Sequence, residues 1–135
     1  MTLVDTNVLL DLIAGRQEWT DWSRHELERA VLRGPMVIND VIYAEISSRY
    51  EAFEVLDGLL GIHGIDIAPM PRAALFLAGK IFLRYRIAGG LRTGVLPDFF
   101  IGAHAAVLKI PILTRDATRY RTYFPSVALI APTMS

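Results

Sequence analysis

Short apolar runs that alternate with stretches of helical spacing restrict the fold of this chain more than any other feature. Residues 1–5, 36–38, 65–68, 110–114 and 127–130 form such runs and read as strands. Between them the spacing predicts helices over about 7–14, 20–33, 39–50, 51–60, 72–88 and 98–108, with a helical turn over 116–120. Thr20 or Ser23 is the expected cap of the second helix, Asn39 or Asp40 of the third and Asp98 of the last long one, while Gly34-Pro35 and Gly89-Gly90 act as stops. The loop from Gly89 to Pro97 reads as the most mobile segment. Short apolar strands joined by helices imply a parallel sheet covered on both faces, with right-handed crossovers. The expected class is therefore α/β, a three-layer α/β/α sandwich. The strand order does not follow from these patterns.

A length of 135 residues with 53% hydrophobic side chains suits one domain, residues 1–135, with a substantial core. The apolar share also favours a subunit contact. Cysteine is missing from the sequence, which excludes disulfides and thiolate metal sites and fits a reducing compartment; cytoplasm is the expected location. The first fifteen residues have no basic region, and Asp5 and Asp11 interrupt them, so they do not read as a signal peptide. Apolar runs fall short of a membrane span, Lys80 breaking the stretch from 73 to 83, and a soluble protein is expected.

Net charge is zero, but it is unevenly distributed. Residues 1–79 carry six basic and twelve acidic side chains; residues 80–135 carry eight basic and two acidic ones. Those two acids are Asp98 and Asp116. A cationic half whose carboxylates lie only at these positions suits a site that handles the phosphate backbone of a nucleic acid.

Asp5 ends the first strand, Glu45 lies in the helix after the second, Asp98 opens the helix before the fourth and Asp116 follows the fourth. Open parallel sheets bind ligands beyond the carboxyl ends of their strands, at the switch point of the winding. If the strands before Asp5 and Asp116 are neighbours, all four carboxylates can converge there. Clustered carboxylates raise one another's pKa unless a cation intervenes. Hard oxygen donors select Mg2+, with Mn2+ as a substitute, over zinc. Such a centre hydrolyses phosphodiesters with a metal-activated water.

Val4-Asp5-Thr6-Asn7, helical Glu45, Asp98 before an Ala-rich helix, and Leu113-Thr114-Arg115-Asp116 after a strand resemble the PIN-domain pattern over nearly the whole chain. Within that superfamily the chain looks like the VapC group, the ribonuclease toxins of toxin–antitoxin pairs. The resemblance implies a sheet in order 3-2-1-4-5 and makes Asp5, Glu45, Asp98 and Asp116 the catalytic and metal-binding acids. Thr6, Asn7, Thr114 and Arg115 become neighbours that orient them or contact the substrate. It further implies an RNA substrate, a cognate antitoxin and a homodimer. Many relatives carry another acid one turn after the third; here that residue is Gly102, which leaves a second ion open.

Other readings carry less. A phosphatase of the haloacid dehalogenase type also starts from a strand ending in Asp but needs an acid at position 7, where this chain has Asn. A noncatalytic PIN-like binding module remains an alternative, whereas a nucleotide-binding fold lacks its Gly-rich loop. His25, His63 and His104 have no ligand spacing and read as surface or satisfied residues, His104 alone falling near the pocket. Arg84, Arg86 and Arg92, and Arg115, Arg119 and Arg121, are candidate phosphate contacts. Trp19 and Trp22 read as core or dimer contacts, and Asp11 as solvated.

Overall fold

The computed structural model describes residues 1–15, 17–92 and 94–133. Its strands are β1 (Thr2–Val4), β2 (Met36–Ile38), β3 (Ile65–Ile67), β4 (Ile112–Leu113) and β5 (Leu129–Ile130). The helices are α1 (Thr6–Ala14), α2 (Gln17–Arg33), α3 (Asp40–Ser47), α4 (Phe53–Ile62), α5 (Arg72–Ile87), α6 (Leu96–Leu108) and α7 (Thr118–Tyr123). The strands form a parallel sheet in order β3-β2-β1-β4-β5, the order the resemblance implies. Val4 pairs with Leu113, so the carboxyl ends of β1 and β4 lie side by side where the winding reverses.

Successive strand residues point to opposite faces, and Thr2, Leu3 and Val4 are all buried, so helices must cover both faces at β1. The edge strand β3 shows the contrast: only Ile65 is buried, while Asp66 and Ile67 face solvent. Among the described residues no helix is long and apolar enough to cross a membrane. An aromatic cluster of Phe82 and Tyr85 from α5, Phe99 from α6, and Tyr123 and Phe124 from the end of α7 binds these three helices together, with ring centroids 5.0–6.4 Å apart.

Several expected caps are corrected. Helix α2 begins at Gln17, so Thr20 and Ser23 lie inside it; both hydroxyls reach back to Asp11, Thr20 to its carbonyl and Ser23 to its carboxylate. Gly15, with φ 64°, makes the left-handed turn that ends α1. Asn39 does cap α3, accepting from the Ile42 N–H at 3.0 Å. Helix α6 begins two residues before Asp98, with Pro97 in its first turn, so Asp98 lies within the helix and its side chain is spent elsewhere. Thr93, in the loop read as mobile, lies outside the described residues.

Asp11, read as solvated, is buried instead, and His104 takes the satisfied rather than the surface alternative. Asp11 faces inward because Ser23 donates to its Oδ2 at 2.7 Å and Arg115 Nε forms an ion pair with the same oxygen at 2.7 Å. His104 is fully buried against Asn39, whose Nδ2 donates to His104 Nδ1 at 3.2 Å. Its Nε2 has no partner among the described residues, and burial lowers its pKa despite the opposing charge of Asp40.

Candidate functional site

Asp5 follows β1 directly and caps α1. The Asp5 N–H bonds to the Leu113 carbonyl at 2.9 Å, which continues the β1–β4 ladder by one residue. Its Oδ1 accepts from the Thr6 N–H at 2.8 Å, and its Oδ2 accepts from Thr114 Oγ1 at 2.8 Å and from the Tyr120 hydroxyl at 2.9 Å. The carboxyl is thus held by β1, β4 and α7 together. Burial nevertheless dominates and pushes its pKa up to about 6, with the three hydrogen bonds opposing the rise and the Asp98 charge adding to it.

The short polar residues around Asp5 position the other acids. Thr6 Oγ1 donates to Glu45 Oε1 at 2.7 Å and so points that side chain from α3 toward β1. Thr114 has one hydroxyl proton, which Asp5 takes; its oxygen accepts from Asn7 Nδ2 and from the Asp116 N–H, both at 3.1 Å. Asn7 Oδ1 accepts from the Arg115 N–H at 3.0 Å. The Asp-Thr-Asn and Leu-Thr-Arg-Asp strings therefore interlock, which fixes the turn carrying Asp116 against the start of α1. Asp116 Oδ1 lies 3.4 Å from the Thr118 N–H, at the entry to α7.

Asp98 points from α6 toward α7 and forms an ion pair with Arg119. Burial raises its pKa against the lowering effect of Arg119, and the Asp116 charge adds to the rise. Glu45 is raised by burial and by the charge of Asp98, while the Thr6 hydrogen bond opposes. The Asp98 charge thus contributes to the rise at Asp5 and Glu45, and the Asp116 charge to the rise at Asp98. Among the described residues, however, no three His, Asp or Glu side chains stand close enough together to hold a metal ion. Three of the four acids are turned instead toward internal donors: Asp5 toward Thr6, Thr114 and Tyr120, Glu45 toward Thr6, and Asp98 toward Arg119.

Tyr120 was not singled out by its sequence position, yet it is buried and bonded to Asp5. Its pKa is raised well above the usual value, by burial first and then by the charges of Asp5, Asp98 and Glu45. Spacing carries the signal. Arg119 and Tyr120 follow Asp116 by three and four residues, one helical turn, which returns them to the end where the acid lies. Arg115 has a contact the sequence did not suggest: its guanidinium pairs with buried Asp11 and lies 5.5 Å from the Trp19 ring centroid, behind the turn that carries Asp116. Trp19 in turn meets Trp22 edge to face.

Gly102 explains the missing acid. A Cβ built there collides with the ring of Phe124, which is itself buried in the aromatic cluster. Gly102→Asp is expected to destabilise the fold by roughly 2–4 kcal/mol through overpacking and an unpaired buried charge, without improving metal binding. Urea denaturation checks the first and calorimetry with Mn2+ the second. An unchanged midpoint would show that Phe124 is free to move.

Hollows open on the surface at two of the places that bear on the site. One, open and of about 630 Å3, is lined by Asp40, Glu45, Leu96, Pro97 and Phe100 among others and so reaches one of the acids. The other, about 500 Å3 and mainly apolar, lies against α1, α2 and α4 and contains none of them.

No curated protein sequence matches the chain. Solved structures match its fold. A chain of VapBC2 from Rickettsia felis, bound to a DNA fragment from their promoter, is similar with a TM-score of 0.74 at 18% identity, covering 98% of both chains. VapBC-1 from nontypeable Haemophilus influenzae gives 0.69 at 15% identity, and DNA-bound VapBC from Salmonella typhimurium 0.67 at 17%, each covering 96% of both chains. The PIN domain model matches residues 2–125, a span that includes all four acids and the polar residues interlocked around Asp5. The chain belongs to the PIN-domain family.

Proposed function

We propose that this chain is a divalent-metal-dependent endoribonuclease, the toxin of a VapBC-type toxin–antitoxin pair, with residues 1–135 acting as one PIN-like domain. The observation that carries the reading is Asp5, held at the switch point of the sheet by three donors, with its pKa raised to about 6 by burial and by a neighbouring acid. Such a carboxyl is costly for a fold and is characteristic of functional sites. Asp5, Glu45, Asp98 and Asp116 offer only hard oxygen donors, which suits Mg2+, with Mn2+ as a substitute. A divalent ion held there would supply Lewis acidity, lowering the pKa of a water and offsetting phosphate charge.

The chain's own residues do the rest. Thr6 steers Glu45, Asn7 and Thr114 fix the turn that carries Asp116, and Tyr120 holds Asp5 from α7. Exposed Arg84, Arg86, Arg92 and Arg121 provide attraction for an RNA backbone. Asn7 is occupied by Thr114 and the Arg115 N–H, so it has no part in phosphatase chemistry. The VapBC complexes among the structural neighbours support a cognate antitoxin as partner. The exposed apolar side chains Phe76, Leu83 and Ile87 on one side of α5 support a homodimer. In this reading the pair works in the cytoplasm.

Metal-free protein is expected to cleave structured RNA when Mg2+ or Mn2+ is added, to stop with EDTA and to resume when the ion is restored. Gel analysis of a panel of cellular RNAs checks this. Cleavage that persists in EDTA overturns the metal; silence toward every RNA with every divalent ion favours the noncatalytic binding module.

A further inference from the structure

The open hollow beside Glu45 is built by the first turns of two helices. Asp40, Val41, Ala44 and Glu45 come from α3, and Leu96, Pro97 and Phe100 from α6. Positions three and four residues apart share one face of a helix, so α6 contributes a continuous apolar wall while α3 contributes two carboxylates. At about 630 Å3 the hollow has the size of a small-molecule site, which is usually about 300–1,000 Å3. Phe100 is half-buried and stands apart from the aromatic cluster that its neighbour Phe99 joins; among the described residues its ring has no aromatic partner. Asp40 is exposed, and among the described residues its carboxylate has no hydrogen-bond or ion-pair partner. Glu45 belongs to both regions, since it lines the hollow and accepts from Thr6, the residue next to Asp5. The hollow is thus one side chain away from the polar residues around Asp5.

We infer that this hollow takes one unstacked RNA base beside the bond to be cut, with Phe100 stacking on the base and Asp40 selecting guanine. The inference rests on the ribonuclease reading above, but binding of the base requires no metal ion. Charge decides the occupant. Two carboxylates repel a phosphate backbone, whereas they accept from the N–H groups of a neutral base. An unpaired base offers its ring face to an aromatic side chain and its pairing edge to polar groups. Guanine presents N1–H and N2–H side by side on that edge, which match the two oxygens of one carboxylate. Adenine and cytosine place a single amino group beside a ring nitrogen whose lone pair repels the second oxygen, and uracil flanks its one N–H with two carbonyls. The apolar wall therefore holds any base, and Asp40 tells guanine from the rest.

Fluorescence anisotropy in EDTA tests it, with labelled hexauridylate and three versions that carry one internal guanine, adenine or cytosine. Wild type is expected to bind the guanine oligonucleotide roughly tenfold more tightly than the other three. Phe100→Ala is expected to weaken that binding roughly tenfold, and Phe100→Trp to restore it. Asp40→Asn is expected to erase the preference and bring guanine to the level of the others. Uniform tightening toward all four oligonucleotides in Asp40→Asn means that the carboxylate only repels the backbone, and that result overturns the inference. Equal wild-type affinities, unmoved by substitution at Phe100, overturn it as well and leave the hollow to a protein segment. The wild-type preference and the exposed Asp40 position keep the test decisive should a Phe100 variant fail to fold. Binding without base preference removes this inference alone, whereas no binding of these oligonucleotides or of structured cellular RNA removes the ribonuclease reading with it.

Discussion

Asp5→Asn is expected to abolish RNA cleavage while raising the melting temperature of the metal-free protein at pH 7.5. The loss of activity should be at least about 100-fold, because the variant removes a charged oxygen donor from the centre of the cluster. The gain in stability comes from the same burial. The Asp5 pKa is raised from 3.8 to about 6, so the folded state holds that proton more tightly than the unfolded chain does. Stability contributed by the protonated form is present below about pH 4 and declines as pH rises toward 6, by about 3 kcal/mol for a shift of this size. Glu45 and Asp98, whose pKa values are also raised, act in the same direction.

Asparagine removes the charge but also the carboxylate that accepts from Thr114 and Tyr120, so the net gain is smaller, about 1–2 kcal/mol. Thermal melts of metal-free wild type should accordingly fall between pH 4.5 and 7. Added Mg2+, which requires ionised Asp5, should stabilise the wild type more at pH 7.5 than at pH 5 and should leave the variant little changed. A variant that melts lower than wild type at neutral pH and still cleaves RNA would show that Asp5 is a helix cap and nothing more.

Asp11→Ala is expected to cost about 3–5 kcal/mol, the usual penalty for breaking one side of a buried ion pair. Its carboxylate is fully buried and joins three parts of the fold: α1, which carries it; α2, through Ser23; and the turn after β4, through Arg115. Loss of the carboxylate leaves the Arg115 guanidinium, 22% exposed, without its counter-charge and frees the turn that also carries Asp116. RNA cleavage should fall along with stability. Urea denaturation reports the first effect, and cleavage measured well below the midpoint reports the second. A cost under about 1 kcal/mol, the range for exposed pairs, would place Asp11 back in solvent.

What the sequence revealed about this protein and what it left hidden divide along one physical line. Strand 36–38, the sense of every long helix and the positions of Asp5, Glu45, Asp98 and Asp116 relative to the strand ends follow from local spacing, because the period of apolar residues is set by the backbone geometry of each element alone. The interlocking of Asp5, Asn7 and Thr114 depends on β1 and β4 being neighbours; patterning does not order the strands, and it was family likeness that implied it. Asp11 shows where local reasoning fails. A charged residue on a short helix reads as solvated until a partner 104 residues away in sequence is folded against it, and the arginine read as a phosphate contact was that partner. Tyr120 and Arg119 are intermediate: one helical turn places them at the acid's end of α7, but only the docking of α7 against α6 and β1 decides that one meets Asp5 and the other Asp98. Local geometry is written in neighbouring residues, whereas the choice of partner for a polar side chain depends on which surfaces the fold presses together.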